Sequence, residues 1–150
     1  MRLWRISEWP GLGGEGGLYA DGRWNPLGVR VVYASEHPAL SLIETLVHLH
    51  LKLARGSIPT TLKLIALDID DGATISNTPA LPSGWQANEP TTQAIGGAWL
   101  QANADLLLPV PSALIAHATN YLINPAHTQA VTHVREVTIE PVWIDKRFLR

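Results

Sequence analysis

Val29-Arg30-Val31-Val32-Tyr33-Ala34-Ser35, running on into Glu36 to Leu53 (EHPALSLIETLVHLHLKL), is the stretch on which the fold class turns. Its first seven residues are rich in β-branched and aromatic side chains and predict a strand. Ser35 can cap a helix, Pro38 is tolerated in a first helical turn, and the pattern predicts a helix from Pro38 to Leu53. Within it Ala39, Leu42, Ile43, Leu46, His50 and Leu53 recur at helical spacing. Leu40, Val47 and Leu51 make much of the opposite side apolar too, so the helix is expected to be buried on most faces.

Working outward, Leu3 to Ile6 predicts a short strand that runs into Gly11-Leu12-Gly13-Gly14-Glu15-Gly16-Gly17, where five glycines in seven residues predict a long, pliable loop. Beyond the helix, Thr60 to Ile69 predicts a central strand closed by a turn at Asp70-Asp71-Gly72. Asn77 to Pro90, with its prolines and Gly84, reads as a loop carrying Trp85, and Thr91 to Asn103 as a short helix containing Gly96-Gly97. Leu106 to Val110 and Ala113 to Ala116 read as strands on either side of Pro111-Ser112, and Val134 to Ile144 as one or two closing strands around Pro141. Strands outnumber helices, the spacing is too irregular for a repeat and no linker divides the chain. The expectation is a single α+β domain over residues 1–150 with a mixed, mainly antiparallel sheet.

Composition narrows the function classes. At 150 residues and 46% hydrophobic content the chain can bury one sizeable core. Only 16% of residues are charged, against roughly 25% in ordinary soluble domains, which predicts a surface partly covered by a partner or a second copy. With 11 basic and 13 acidic residues and no basic stripe, direct nucleic-acid binding is disfavoured. The chain has no cysteine, which excludes disulfides and thiolate metal sites. Its first residues lack the apolar segment of a secretory signal, and no run approaches the ~20 apolar residues of a membrane span, so a cytoplasmic location is expected.

Several residues are candidates for chemistry. The glycine-rich loop lacks the Gly-Lys-Ser/Thr ending of a P-loop, and Asp21-Gly22-Arg23 follows where a Rossmann helix would begin. It leads to Arg23, whose planar fork of donors suits a diphosphate or a carboxylate, beside Trp24 and Asn25, which could stack and hydrogen-bond. The alternative is a surface loop with a salt-bridged arginine. Glu44 stands inside an apolar helix, where an unpaired carboxylate is costly to bury, so it needs either a function or a structural partner. Tyr33 and Ser35 share one face of their strand and could line a pocket, although a core tyrosine with its hydroxyl bonded locally is the commoner explanation for such a residue. Ser112 has no Gly-x-Ser-x-Gly elbow around it, which disfavours a hydrolase nucleophile. His48 and His50 would point about 200° apart on a helix and the other histidines are scattered, so no metal site is predicted. Trp24 and Trp85 lie in predicted loops where a ligand ring could stack, the other tryptophans being core by default.

An ordered series of short motifs then gathers these candidates: Gly22-Arg23-Trp24-Asn25, Tyr33-Ala34-Ser35, Glu44, Leu81-Pro82-Ser83-Gly84-Trp85, Gln93-Ala94-Ile95-Gly96 with Trp99, Val110-Pro111-Ser112-Ala113, Asn120, Asn124-Pro125 and Trp143-Ile144-Asp145-Lys146-Arg147. Together, and in this order over nearly the whole chain, they resemble the RES domain, the toxin half of bacterial Xre-RES toxin–antitoxin pairs. The family is named for an arginine, a glutamate and a serine, matched here by Arg23, Glu44 and Ser112. The resemblance implies an ADP-ribosyltransferase-like fold, NAD+ as substrate with no further cofactor, and nicotinamide release as the common step. It implies that Gly11 to Asn25 walls a nucleotide site, that Arg23 clamps the diphosphate with help from loop amides, and that Tyr33 packs on the nicotinamide ring. Glu44 would face the ribose, and Ser112 would hold the nucleotide or Glu44, with Trp24, Asn25 and Ser35 also contacting the ligand. Water, phosphate or a protein side chain could accept the ADP-ribosyl group. A protein ADP-ribosyltransferase and a toxin acting by target binding alone remain as alternatives, and a ribonuclease is disfavoured for want of a basic groove. The implied partners are an Xre-like helix-turn-helix antitoxin and a second copy of the chain.

Overall fold

The computed structural model describes residues 1–53 and 59–149, with side chains except at 50–53 and 149. The side chains of His50, Leu51 and Leu53, used above to define the helical stripe, therefore lie outside the described residues. Six strands, β1 (Arg2–Ser7), β2 (Val32–Ser35), β3 (Lys63–Ile69), β4 (Leu107–Pro111), β5 (Thr119–Ile123) and β6 (Val134–Pro141), form one sheet in the order β4-β5-β2-β1-β3-β6. Every ladder is antiparallel. Among the described residues parallel pairing is confined to an isolated bridge between Ile75 and Leu107. Among the described residues four α-helices accompany the sheet: α1 (Gly16–Tyr19), α2 (Pro38–Leu53), α3 (Glu89–Ala102) and α4 (Ala130–His133). None of the described helices is long and apolar enough to cross a membrane.

Strand alternation divides the core into two faces. Val32, Ala34, Leu3, Ile65, Leu67 and Ile69 face one way, with Val134 beside Ile69, and pack with Ala130 and Leu12. On the other face Tyr33 stands opposite Leu122, Ser35 opposite Asn120, and Trp4 opposite Ser35. Here α3 packs Leu100, Ile95 and Trp99 against Trp24, Leu108, Val110 and Leu122. The neighbouring α2 packs Leu46 and Leu49 against Ile6, Leu62 and Ile144. The two long helices thus share a face and leave β2 and β5 as the floor between them.

The edges suit their sequences. Pro109 and Pro111, which have no N–H to give a ladder, sit in the outermost strand β4. At the other edge β6 is mostly exposed and shifts register opposite Ala66 and Leu67.

Several expectations need correction. Ala113 to Ala116 is no strand: the Ser112 hydroxyl accepts the amides of Leu114 and Ile115, both at 3.1 Å, and turns the chain back into β5, a strand the reading above missed. The glycine-rich loop is not free. It contains α1, Gly28 N–H donates to the Gly17 carbonyl at 2.8 Å, and Arg5 and Arg30 hold the carbonyls of Gly11 and Gly13. Ser35 does not cap α2, because its hydroxyl donates across the sheet to Asn120; the Ala39 amide is taken by His37 Nδ1 at 3.1 Å. Nor is α2 buried on most faces, since Ile43 and Val47 are exposed.

Candidate active site

A cavity of about 830 Å³ lies over the β2–β5 floor, with Glu44, Thr45 and His48 of α2 among its lining and Gly22, Arg23 and Asn25 contributing to its wall. Tyr33, Ser35, Asn120 and Ala113 line it as well.

Arg23 stands at the corner of a tight turn in which Gly22 N–H donates to the Asn25 carbonyl at 3.1 Å. Two side chains of α3 fix that turn from behind. Thr92, fully buried, donates its hydroxyl to the Arg23 carbonyl at 2.5 Å, and Gln93 Nε2 donates to the Gly22 carbonyl at 2.9 Å. The glycines finish the fit. A side chain at Gly96 would strike the Trp24 carbonyl, and one at Gly22 would come within 2.8 Å of the Tyr33 hydroxyl. What α3 holds is the backbone, not the side chain: Arg23 Nη1 is buried without a hydrogen-bond partner among the described residues. A buried donor left unpaired costs about 1–3 kcal/mol, a cost that an anionic ligand would remove.

Glu44 is held in the opposite manner. Its Oε1 accepts the Ser112 hydroxyl and the Asn120 Nδ2–H, each at 2.7 Å. Its other oxygen takes neither bond. Of the two roles open to Ser112, the contact made is to Glu44.

The Tyr33 hydroxyl is committed to the wall: it donates to Asn25 Oδ1 at 2.7 Å and accepts the Trp24 amide at 3.1 Å. Burial pushes this phenol well above its ordinary range, against the lowering effect of the Trp24 amide, and the phenol is thus a neutral donor. Any direct part of Tyr33 in the chemistry is left to its ring. Trp24 and Asn25, expected to contact a ligand, are 3% and 1% exposed. The Trp24 ring packs against Trp85 with centroids 5.9 Å apart, and the Asn25 amide is used on Tyr33, Ala20 and Pro26. Both side chains build the wall. Two of the loop amides are already used: Gly11 and Gly17 give their N–H groups to Glu136 and to the Gly14 carbonyl.

Thr92 and Arg5 were not singled out in the sequence, and Gln93 and Asn120 stood in the motif series without a role. The helix gives no outward sign of the carbonyl contacts of Thr92 and Gln93, and Asn120 lay in a strand not recognised as one. Arg5 lines the cavity and donates Nη1 to the Gly11 carbonyl at 2.5 Å. Burial lowers its guanidinium from the usual range, opposed by Glu136 and Glu15. Among the described residues no three His, Asp or Glu side chains gather as around a metal ion.

The fold and site define a single-domain α+β protein whose cavity sets an uncommitted arginine and a braced carboxylate within one lining. Residues 2–145 match the family model of the RES domain, and the chain belongs to that family. Toxin Res of Pseudomonas putida KT2440 is 43% identical over 130 residues, covering 87% of this chain and 88% of the relative. The Prs ADP-ribosylating toxin of Sphingobium sp. YBL2 is 37% identical over 141 residues, covering 85% and 84%. Among solved structures, the M. tuberculosis MbcT–MbcA toxin–antitoxin complex contains a chain of the same fold, with a TM-score of 0.70 at 17% identity, covering 94% of this chain and 83% of that one.

Proposed function

We propose that the chain is the toxin of a toxin–antitoxin pair and consumes NAD+ by cleaving its nicotinamide–ribose bond. The observation that carries this reading is the buried, unpartnered Nη1 of Arg23 in the same cavity as Glu44. A guanidinium so placed suits one oxygen pair of a diphosphate. Glu44 then faces the ribose at the scissile bond. As that bond breaks, its electron pair stays on the pyridinium nitrogen and nicotinamide leaves neutral, without a proton. Positive charge develops at the ribose carbon and is stabilised by the Glu44 carboxylate. An acceptor oxygen forms the new bond and releases its proton; water makes the enzyme a glycohydrolase and inorganic phosphate a phosphorylase. A protein acceptor is the second reading, favoured by the likeness to a relative named as ADP-ribosylating. The partner is an Xre-like antitoxin that shields the cavity, and the exposed Trp9, Trp143 and Phe148 are available to a second copy of the chain.

The test is to incubate the purified protein with NAD+ and measure nicotinamide with and without phosphate, and with a lysate as protein acceptor. Release dependent on phosphate identifies the phosphorylase, release in buffer alone the glycohydrolase, and label retained on protein the transferase. No nicotinamide in any arm overturns the proposal.

A further inference from the structure

We infer that Asn120 is a positioning residue for Glu44, set by Ser35, and that this relay fixes which carboxylate oxygen meets the substrate. The inference rests on the proposed NAD+ reaction and deepens it.

The relay follows from the donor and acceptor inventory. Ser35 Oγ and Asn120 Oδ1 are 2.7 Å apart, and Asn120 Nδ2 is 2.7 Å from Glu44 Oε1. An amide donates only through nitrogen and accepts only through oxygen. The acceptor-only carboxylate of Glu44 draws Nδ2, and Ser35, 4% exposed and directly opposite Asn120 in the β2–β5 ladder, gives its proton to Oδ1 and holds the amide in that orientation. The ladder is itself tied at this point, with Thr119 N–H donating to Glu36 Oε1 at 2.8 Å and Glu36 N–H to the Thr119 carbonyl at 3.2 Å. Ser112 adds its proton to the same Oε1 from the end of β4. Two donors from different strands on one oxygen fix the rotation of the carboxylate and leave Oε2 as the oxygen presented to the cavity. Ser35 therefore acts through Asn120.

Asn120 is the cleaner probe of this arrangement, because Ser112 also anchors the turn at Leu114 and Ile115. A hydrogen bond to a charged group is worth about 1.5–3 kcal/mol, so Asn120→Ala is expected to lower kcat for nicotinamide release by about 10- to 100-fold, with KM within about twofold. Asn120→Asp preserves shape but sets a second carboxylate against Glu44, with Glu36 also held to the neighbouring Thr119. At neutral pH it is expected to lose at least as much activity as Asn120→Ala, because like charges side by side disfavour the oriented carboxylate. Ser35→Ala is expected to lose less, in kcat alone. Unchanged kcat in Asn120→Ala, a loss confined to KM, or an Asn120→Asp variant milder than Asn120→Ala would overturn the inference. If the wild-type protein releases no nicotinamide, the proposed function fails by itself. Crystal structures of wild type and Asn120→Ala then decide the relay: a rotated Glu44 carboxylate supports it, and an unmoved one overturns it.

Discussion

The two charged walls of the cavity are built on opposite plans. At Arg23 the backbone is clamped by Thr92 and Gln93 while the guanidinium Nη1 has no partner among the described residues. At Glu44 the side chain itself is clamped, with two donors on one oxygen. In the proposed reaction the difference separates two tasks. A group that binds a ligand gains most by keeping donors unspent until the ligand arrives, whereas a group that stabilises charge in a transition state gains most by being oriented beforehand.

Predictions from this contrast can be ranked by size. Glu44→Ala should reduce kcat for NAD+ cleavage by about 100- to 1000-fold, the scale for removing a preorganised electrostatic group. Arg23→Ala should act chiefly on KM; steady-state kinetics with both variants would break the contrast if the two effects were exchanged. Gly96→Ala pushes a methyl into the Trp24 carbonyl and so disturbs the Arg23 wall without touching Glu44. It should cost about 1–3 kcal/mol in denaturant unfolding and weaken NAD+ binding. Tyr33→Phe strips partners from Asn25 Oδ1 and the Trp24 amide, and should cost about 1–3 kcal/mol of stability while changing kcat less than Glu44→Ala does. The smallest effect concerns alkali. The Tyr33 phenol is raised in the fold, so its contribution is full below about pH 10, where the unfolded phenol titrates, and is lost as pH rises further. Unfolding free energies measured across that range should fall less steeply in Tyr33→Phe than in wild type.

Much of this was legible in the sequence because it rests on local pattern. The β2–α2 unit and the central strand β3 follow from β-branched runs and helical periodicity. Glu44 stood out as a carboxylate in an apolar helix, and Arg23 as a fork of donors at the end of a glycine run. What stayed hidden depends on long-range partners. The β5 strand was obscured because the apolar Ala113 to Ala116 looked more strand-like than Thr119–Ile123, and only the Ser112 hydroxyl bonds show why the chain turns there. The burial of Trp24 was also hidden, because α3 packs close to it through Gly96 and draws it into the core. The glycine run looked pliable, since nothing local reveals that Arg5 and Arg30 hold its carbonyls.

The division of labour between the two walls is tested most directly by the crystal structure of Glu44→Gln soaked with NAD+. The diphosphate is expected on the Arg23 guanidinium and the nicotinamide ribose beside residue 44, over the ring of Tyr33. A dinucleotide bound away from Arg23, or with its adenosine half against residue 44, would contradict it.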